Sequence, residues 1–194
     1  LMGNTVLWKP ASSAIPSAWY ILKLLEAAGL PPGVINLVPG NASAVSDVVL
    51  NHRDLAGVHF TGSTEVFNSM WRTIGAQMDR YRSYPRIVGE TGGKDFIVAH
   101  ASADPQALAV GVVRGGYEFQ GQKCSAPSRI YVPDTMWTGM RESLLDQIRG
   151  LPMGDIADFR NFMGAVIDEP AFTRLSGWLD RIRSSPDATI LAGG

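Results

Sequence analysis

The chain of 194 residues carries 17 lysines and arginines against 18 aspartates and glutamates, a formal net charge of −1 at pH 7. This balance, with no basic run, gives no electrostatic reason to expect binding to nucleic acid or to an acidic membrane surface. Hydrophobic residues make up 45% of the chain, which is enough for a core and argues against wholesale disorder. No apolar run approaches roughly 18 residues, so no membrane span is expected.

The first ninety residues alternate strand and helix signals. Strands are predicted at residues 5–8, 34–38 and 57–60, and helices at 15–25, 45–49 and 67–78. Ser12 or Ser13 is expected to cap the first helix, with Pro16 in its first turn. Such alternation predicts an α/β fold with a parallel sheet covered by helices. No GxGxxG motif is present, so the standard dinucleotide fingerprint does not apply.

The residue pattern changes near residues 90–93, where the stretch TGGK leads into a new apolar run. A domain boundary is expected there. Asp104-Pro105 is typical of a capped helix start. Strands are predicted at residues 96–98 and 129–132, and further helices at 135–148 and 172–182. We therefore divide the chain into residues 1–91 and 92–194.

The Gly62-Ser63-Thr64 stretch lies between a predicted strand and a predicted helix. Glycine permits close approach of a ligand to the backbone, and a helix N-terminus favours an anion such as phosphate. An ordinary capped helix is the alternative interpretation. Lys9, at the end of the first strand, is a candidate donor to a ribose or phosphate, and alone it is equally a solvated surface lysine.

Cys124 is the only cysteine, so an internal disulfide is excluded and a reducing compartment is favoured. A lone cysteine is most often a small buried hydrophobe. Here glycine and small polar residues flank it, in the stretch FQGQKCSAP. Glu90 lies among glycines and is either an exposed loop acid or a general base. The chain's three histidines stand apart, so a metal site is not expected.

Three motifs occur in a fixed order: FTGS at 60–63, GETGGKDF at 89–96 and GQKCSA at 121–126. Together they resemble the aldehyde dehydrogenase superfamily. The lysine at position 123 and the KDF ending of the second motif are similar to the stand-alone Δ1-pyrroline-5-carboxylate dehydrogenases. The resemblance covers essentially the whole chain, which would be a middle portion of such an enzyme.

The resemblance implies oxidation of glutamate γ-semialdehyde to glutamate with NAD, in proline catabolism. Cys124 would be the nucleophile that forms a thiohemiacetal and then a thioester, and Glu90 would activate the water that hydrolyses it. The backbone N–H of Cys124 would be one oxyanion donor. The family's second donor is an upstream asparagine that this chain does not contain. Ser125 would contact the α-carboxylate of the substrate.

For the cofactor, the resemblance implies Lys9 on the adenine ribose. The residues expected around the pyrophosphate are Gly62, Ser63, Thr64, Glu65 and Val66. Ser12 stands where strongly NAD-selective relatives often carry an acid, so weaker use of NADP is also expected.

The implied architecture is part of a Rossmann-like NAD-binding domain over residues 1–91 and part of an α/β catalytic domain over 92–194. The resemblance further implies a homo-oligomer in the full-length enzyme. The expected location is the cytoplasm, or the mitochondrial matrix if the source is eukaryotic. Three alternatives remain open. The first is another aldehyde dehydrogenase specificity, and the second is an acylating or phosphorylating semialdehyde dehydrogenase, which usually employs a histidine base. The third is a truncated nucleotide-binding module, or a structural part of an oligomer, without activity of its own.

Overall fold

The computed structural model describes residues 3–194, which divide into two compact units. The first unit comprises residues up to Phe60 together with Glu65–Gly89, and the second comprises Thr61–Thr64 together with Glu90–Gly194. The backbone therefore divides between Gly89 and Glu90, with the short Thr61–Thr64 stretch joined to the second unit. Which unit binds nucleotide and which performs catalysis stays a prediction.

Between residues 3 and 90, the structure contains four short strands and three α-helices. The strands are β1 (Val6–Trp8), β2 (Ile35–Leu37), β3 (Gly57–Thr61) and β4 (Arg86–Glu90), and the helices are α1 (Ile15–Ala27), α2 (Ala42–Leu50) and α3 (Thr64–Gly75). β1 pairs in parallel with β2, with Val6 opposite Ile35. β3 pairs with β4 in a separate two-stranded sheet.

Of the two helix caps predicted from the sequence, one is wrong and one is confirmed. The serine cap on α1 is wrong: Ser12–Ala14 form a 3-10 turn, and α1 follows Ala14 without a side-chain cap. A capping residue needs extended backbone, and both serines are already wound into the turn. Pro16 does lie in the first turn of α1. The cap predicted for Asp104 is confirmed, because its Oδ1 accepts a hydrogen bond of 2.7 Å from the backbone N–H of Ala107.

β4 is a strand that the sequence analysis missed. Ile87 and Val88 are β-branched, and burial alternates along Arg86–Glu90, both of which favour a strand. The glycine at position 89 obscured that signal. Packing favours glycine there, because a Cβ would overlap the aromatic ring of Phe67 and force it to move. Glu90 consequently ends a strand instead of lying in a free loop.

The second part of the chain contains two strands and three helices. They are β5 (Phe96–Val98), α4 (Pro105–Tyr117), β6 (Arg129–Tyr131), α5 (Asp134–Arg149) and α6 (Glu169–Arg183). β5 and β6 are parallel, and Ile97 and Ile130 pack from them onto the core. That core lies mainly between α4 and α5; its buried residues are Ala109, Val112, Val113, Met136, Met140 and Leu144.

The first unit has a smaller core. Leu50, Ile74 and Tyr81 are buried together, and the Tyr81 hydroxyl donates a 2.5 Å hydrogen bond to the Leu50 carbonyl. This bond satisfies the one polar atom of a buried tyrosine side chain. None of the helices in residues 3–194 is long and apolar enough to cross a membrane.

Met140 offers a test of the core of the second unit. Its side chain is only 2% exposed, so Met140→Ala removes buried volume that the neighbouring helices cannot refill completely. We expect the free energy of unfolding to fall by about 2–5 kcal/mol. The matched control is Met153→Ala, at a methionine that is 68% exposed, with an expected change of about 0.5 kcal/mol or less. Denaturant unfolding followed by circular dichroism measures both, and equal losses would contradict this packing.

Candidate active site

Cys124 is exposed and lies in a turn beyond α4. The helix ends at Tyr117 and is followed by a short 3-10 segment, Glu118–Gly121. Three consecutive residues of this segment have left-handed backbone, with φ of 50° at Phe119, 59° at Gln120 and 68° at Gly121. The left-handed region costs about 1–2 kcal/mol for a residue other than glycine. The chain thus reaches Cys124 through a strained reversal that its surroundings must hold in place.

Hydrogen bonds to a distant segment hold this reversal. The side-chain amide of Gln120 donates to the carbonyl of Ala165. The backbone N–H of Ile167 donates to Oε1 of Gln122 at 3.1 Å. Together with Phe119, these residues line a cavity of about 390 Å³ beside the turn.

Beyond Cys124, the chain packs on α4 and joins β5. The ring of Pro127 lies so close to Gly115 that a Cβ there would come within 3.1 Å of it. The backbone N–H of Ser128 donates to the carbonyl of Asp95 at 2.8 Å. The turn that carries Cys124 is therefore fixed on both sides, as preorganisation of a reacting group requires.

The structure brings the three sequence motifs together through backbone contacts. Gly62 donates its N–H to the carbonyl of Glu90 at 3.1 Å, which links FTGS to GETGGKDF. Gly93 lies against the carbonyl of Cys124, since a Cβ at position 93 would stand 2.8 Å from that oxygen. This second contact links GETGGKDF to GQKCSA. The side chain of Glu90 is exposed at the end of β4, where solvent can reach it.

An ion-pair cluster immediately precedes Cys124. The carboxylate of Glu118 pairs with the guanidinium of Arg114 and, at 2.5 Å, with the ammonium of Lys123. The hydrogen bond from Lys123, followed by the one from Arg114, holds the pKa of Glu118 below its ordinary value. The Lys123 ammonium also lies 5.1 Å from the ring centroid of Phe119. The sequence analysis did not single out Glu118, although its spacing of four residues from Arg114 is the signal of a helical ion pair.

The residues expected to bind the cofactor occupy exposed or half-exposed positions. Lys9 immediately follows β1, and its Nζ donates a hydrogen bond of 2.8 Å to the carbonyl of Pro10. Gly62, Ser63 and Thr64 are exposed at the start of α3, a helix of 12 residues. Glu65 and Val66 are exposed in the first turn of that helix, and Ser125 is exposed next to Cys124.

The start of α3 has the general features that favour an anion. A helix N-terminus directs backbone N–H groups and a positive dipole end toward solvent, which suits a pyrophosphate. The carboxylate of Glu65 opposes an anion placed directly beside it. The backbone N–H of Gly62 is already donated to the carbonyl of Glu90, so an anion here would depend on the dipole of α3 more than on Gly62 or on the side chains of the first turn. Within residues 3–194, no group of three or more histidine, cysteine, aspartate or glutamate side chains is placed to hold a metal ion.

Comparison with known proteins shows similarity to aldehyde dehydrogenases. The sequence model of the aldehyde dehydrogenase family matches residues 1–194. The mitochondrial delta-1-pyrroline-5-carboxylate dehydrogenase of Emericella nidulans is 48% identical over 196 residues, covering 100% of this chain and 34% of that protein. The enzyme of the same name from Danio rerio is 44% identical over 195 residues, again 100% of this chain, and 35% of that protein.

Solved structures agree in fold. The crystal structure of the delta-pyrroline-5-carboxylate dehydrogenase from Mycobacterium tuberculosis matches with a TM-score of 0.94 and 50% identity, over 99% of this chain and 36% of that one. Another structure of that enzyme, bound with NAD, matches equally well. The chain thus spans about a third of the length of these relatives, and the predicted α/β, aldehyde-dehydrogenase-like fold is confirmed. On this evidence of matched sequence and matched fold, the chain belongs to the aldehyde dehydrogenase family.

Proposed function

We propose that this chain is the middle portion of an enzyme that oxidises L-glutamate γ-semialdehyde to L-glutamate with NAD, in proline catabolism. The observation that carries the proposal is the exposed Cys124 on a braced turn, in backbone contact with the motif that contains Glu90. The names of the relatives support the substrate. The proposed division of labour is a partial NAD-binding domain over residues 1–91 and a partial catalytic domain over 92–194.

Catalysis begins with the thiolate of Cys124. Its sulfur attacks the aldehyde carbon, a C–S bond forms, and the carbonyl electron pair moves onto oxygen. The backbone N–H of Cys124 donates to that oxyanion in the proposed thiohemiacetal. Because the turn is held on both sides, this N–H and the sulfur keep a fixed relation while charge develops.

NAD, when bound, supplies the hydride acceptor that turns the thiohemiacetal into a thioester. Lys9 is proposed to bind the adenine ribose, and Gly62 to Thr64, followed by Glu65 and Val66, to surround the pyrophosphate. The support for the second assignment is their exposed position at the start of α3. Ser12, which is exposed and carries no charge, offers no repulsion to a 2′-phosphate, so weaker use of NADP is included in the proposal.

Glu90 completes the reaction by deacylation. Its carboxylate takes a proton from water, the resulting hydroxide attacks the thioester carbon, and the Cys124 thiolate leaves as the acid forms. The exposed side chain at the end of β4 is accessible to that water. Ser125, exposed beside the nucleophile, is proposed to donate to the α-carboxylate of the substrate. That contact would hold the far end of the semialdehyde.

The oligomeric state and the cellular location of the enzyme are proposed from the resemblance. We expect a homo-oligomer of the full-length protein. Several eukaryotic relatives carry the word mitochondrial in their names, which supports the matrix for a eukaryotic source, with the cytoplasm expected otherwise. A binding module without activity of its own is the second candidate, favoured by the chain's coverage of only about a third of its relatives.

Cys124 should react in the folded protein. Its exposure predicts that a disulfide reagent titrates one thiol per chain without denaturant. The measurement is the absorbance of the released thiolate, with Cys124→Ser as the blank. A thiol that reacts only after unfolding would contradict the exposed turn.

Glu90→Gln, in a full-length protein that carries this segment, should separate the two half-reactions. We expect the NADH burst to persist while steady turnover falls about 100-fold or more, because general-base catalysis of deacylation is lost. Stopped-flow absorbance measures burst and steady rate together. The control is Glu142→Gln, at an exposed glutamate on α5 paired with its neighbour Arg141. Equal losses of burst and steady rate would assign Glu90 another role.

Residues 1–194 alone should show little or no dehydrogenase activity. The resemblance assigns one oxyanion donor to an asparagine outside this chain, and loss of one such donor costs about 10²–10³ in rate. Weak NAD binding should persist through the start of α3. Calorimetry for NAD and absorbance for NADH, on the same sample, test both parts. Turnover close to that of a full-length relative would contradict the prediction.

A further inference from the structure

Glu118 links the last turn of α4 to the residue before the nucleophile. One carboxylate oxygen pairs with Arg114 inside the helix, and the other pairs with Lys123 at 2.5 Å. The side chains of Glu118 and Lys123 are only 24% and 31% exposed. This is a half-buried bridge with two cations on one anion, which is a stronger arrangement than an isolated surface pair.

Lys123 is directed backward along the chain by this bridge. Its ammonium contacts Glu118, five residues earlier, and lies over the ring of Phe119. Both partners precede Lys123 in the chain, and the ammonium is therefore already paired with groups other than Cys124. The bridge also spans the left-handed residues, because Glu118 precedes them and Lys123 follows them. A strained segment persists only when several interactions fix it, and this ion pair is one of them.

We propose that Glu118 is a positioning residue for the nucleophile: by holding the Lys123 ammonium against α4, it fixes the left-handed turn and withholds that positive charge from the sulfur of Cys124. The role of Cys124 as nucleophile comes from the proposed function, on which this inference rests. An ammonium close to a thiol favours the thiolate, whereas one already paired with a carboxylate contributes far less.

Other charged groups near the turn come from the segment before β5. Gly93 contacts the Cys124 carbonyl, and Lys94 and Asp95 follow it in the chain. Arg114 contributes from α4. Lys94 and Asp95 are unchanged in the variants below, whereas Glu118→Gln releases Arg114 as well as Lys123; the double variant keeps the released Arg114 and so separates its contribution from that of Lys123. Differences among those variants therefore report the bridge.

The test is the pH dependence of alkylation of Cys124 by iodoacetamide in the 194-residue protein. Glu118→Gln should lower the pH midpoint by about 0.5 unit or more, because the released ammonium can approach the thiolate. Lys123→Gln alone should change the midpoint by less than about 0.3 unit, because the charge it removes is already paired. In the double variant, the effect of Glu118→Gln should shrink to less than half, since it acts through Lys123.

Glu142→Gln on α5 is the matched control and should leave the midpoint unchanged. An unchanged midpoint in Glu118→Gln would overturn the proposal, and so would a full-size shift that persists without Lys123. If Glu118→Gln does not fold by circular dichroism, Lys123→Gln still decides, because a rise of about 1 unit would mean that the ammonium already acts on the sulfur. The assay needs neither aldehyde nor nucleotide. Absence of dehydrogenase activity in a full-length protein that carries this segment would therefore count against the proposed function without altering this result.

Discussion

Three consecutive residues between α4 and Cys124 hold left-handed backbone, and two of them, Phe119 and Gln120, are not glycine. The geometry of the candidate site depends on this reversal, because it turns the chain off the helix and exposes the sulfur. Its conformational cost is offset by three interactions: two hydrogen bonds to the distant residues 165–167, and the ion pair that spans the reversal. If any one of these interactions is removed, the remaining two must hold the left-handed backbone in place.

Close backbone packing brings the motifs together. Gly93 leaves room for the carbonyl of Cys124, and Gly115 leaves room for the ring of Pro127 just beyond it. Neither glycine has left-handed φ, so the requirement here is space and not backbone freedom. This explains why the motifs are rich in glycine around an exposed thiol. Small residues allow two loops to approach closely and keep the thiol of Cys124 exposed.

The sequence predicted the elements whose signals are local. Asp104-Pro105 combines a cap with a first-turn proline, and α4 begins there. β4 was missed because a glycine interrupts a five-residue strand, and the serine cap of α1 failed because a 3-10 turn preceded the helix. The left-handed backbone at Phe119 and Gln120 opposes the intrinsic preference of both residues, so no local signal could indicate it.

In the candidate site, too, the sequence showed some features and could not show others. The order of the three motifs was visible in the sequence, but the contact between Gly93 and Cys124 joins residues far apart in the chain and has no periodicity to reveal it. The ion pair of Glu118 with Arg114 is different, because helical spacing does encode it. Only its second partner, Lys123, depends on the reversal of the backbone.

The ring of Phe67 occupies the space where a side chain at position 89 would stand, which makes the two positions mutually dependent in sequence change. An alanine at 89 would force the ring of Phe67 to move, whereas the backbone at 89 is not in the left-handed region and would accept alanine if the ring were smaller or displaced. A smaller residue at position 67 is therefore expected to make a side chain at position 89 acceptable, whereas a substitution of Gly89 alone strains the contact. A side chain at position 89 of β4 is thus accommodated only once the ring of Phe67, in α3, has been replaced or has moved.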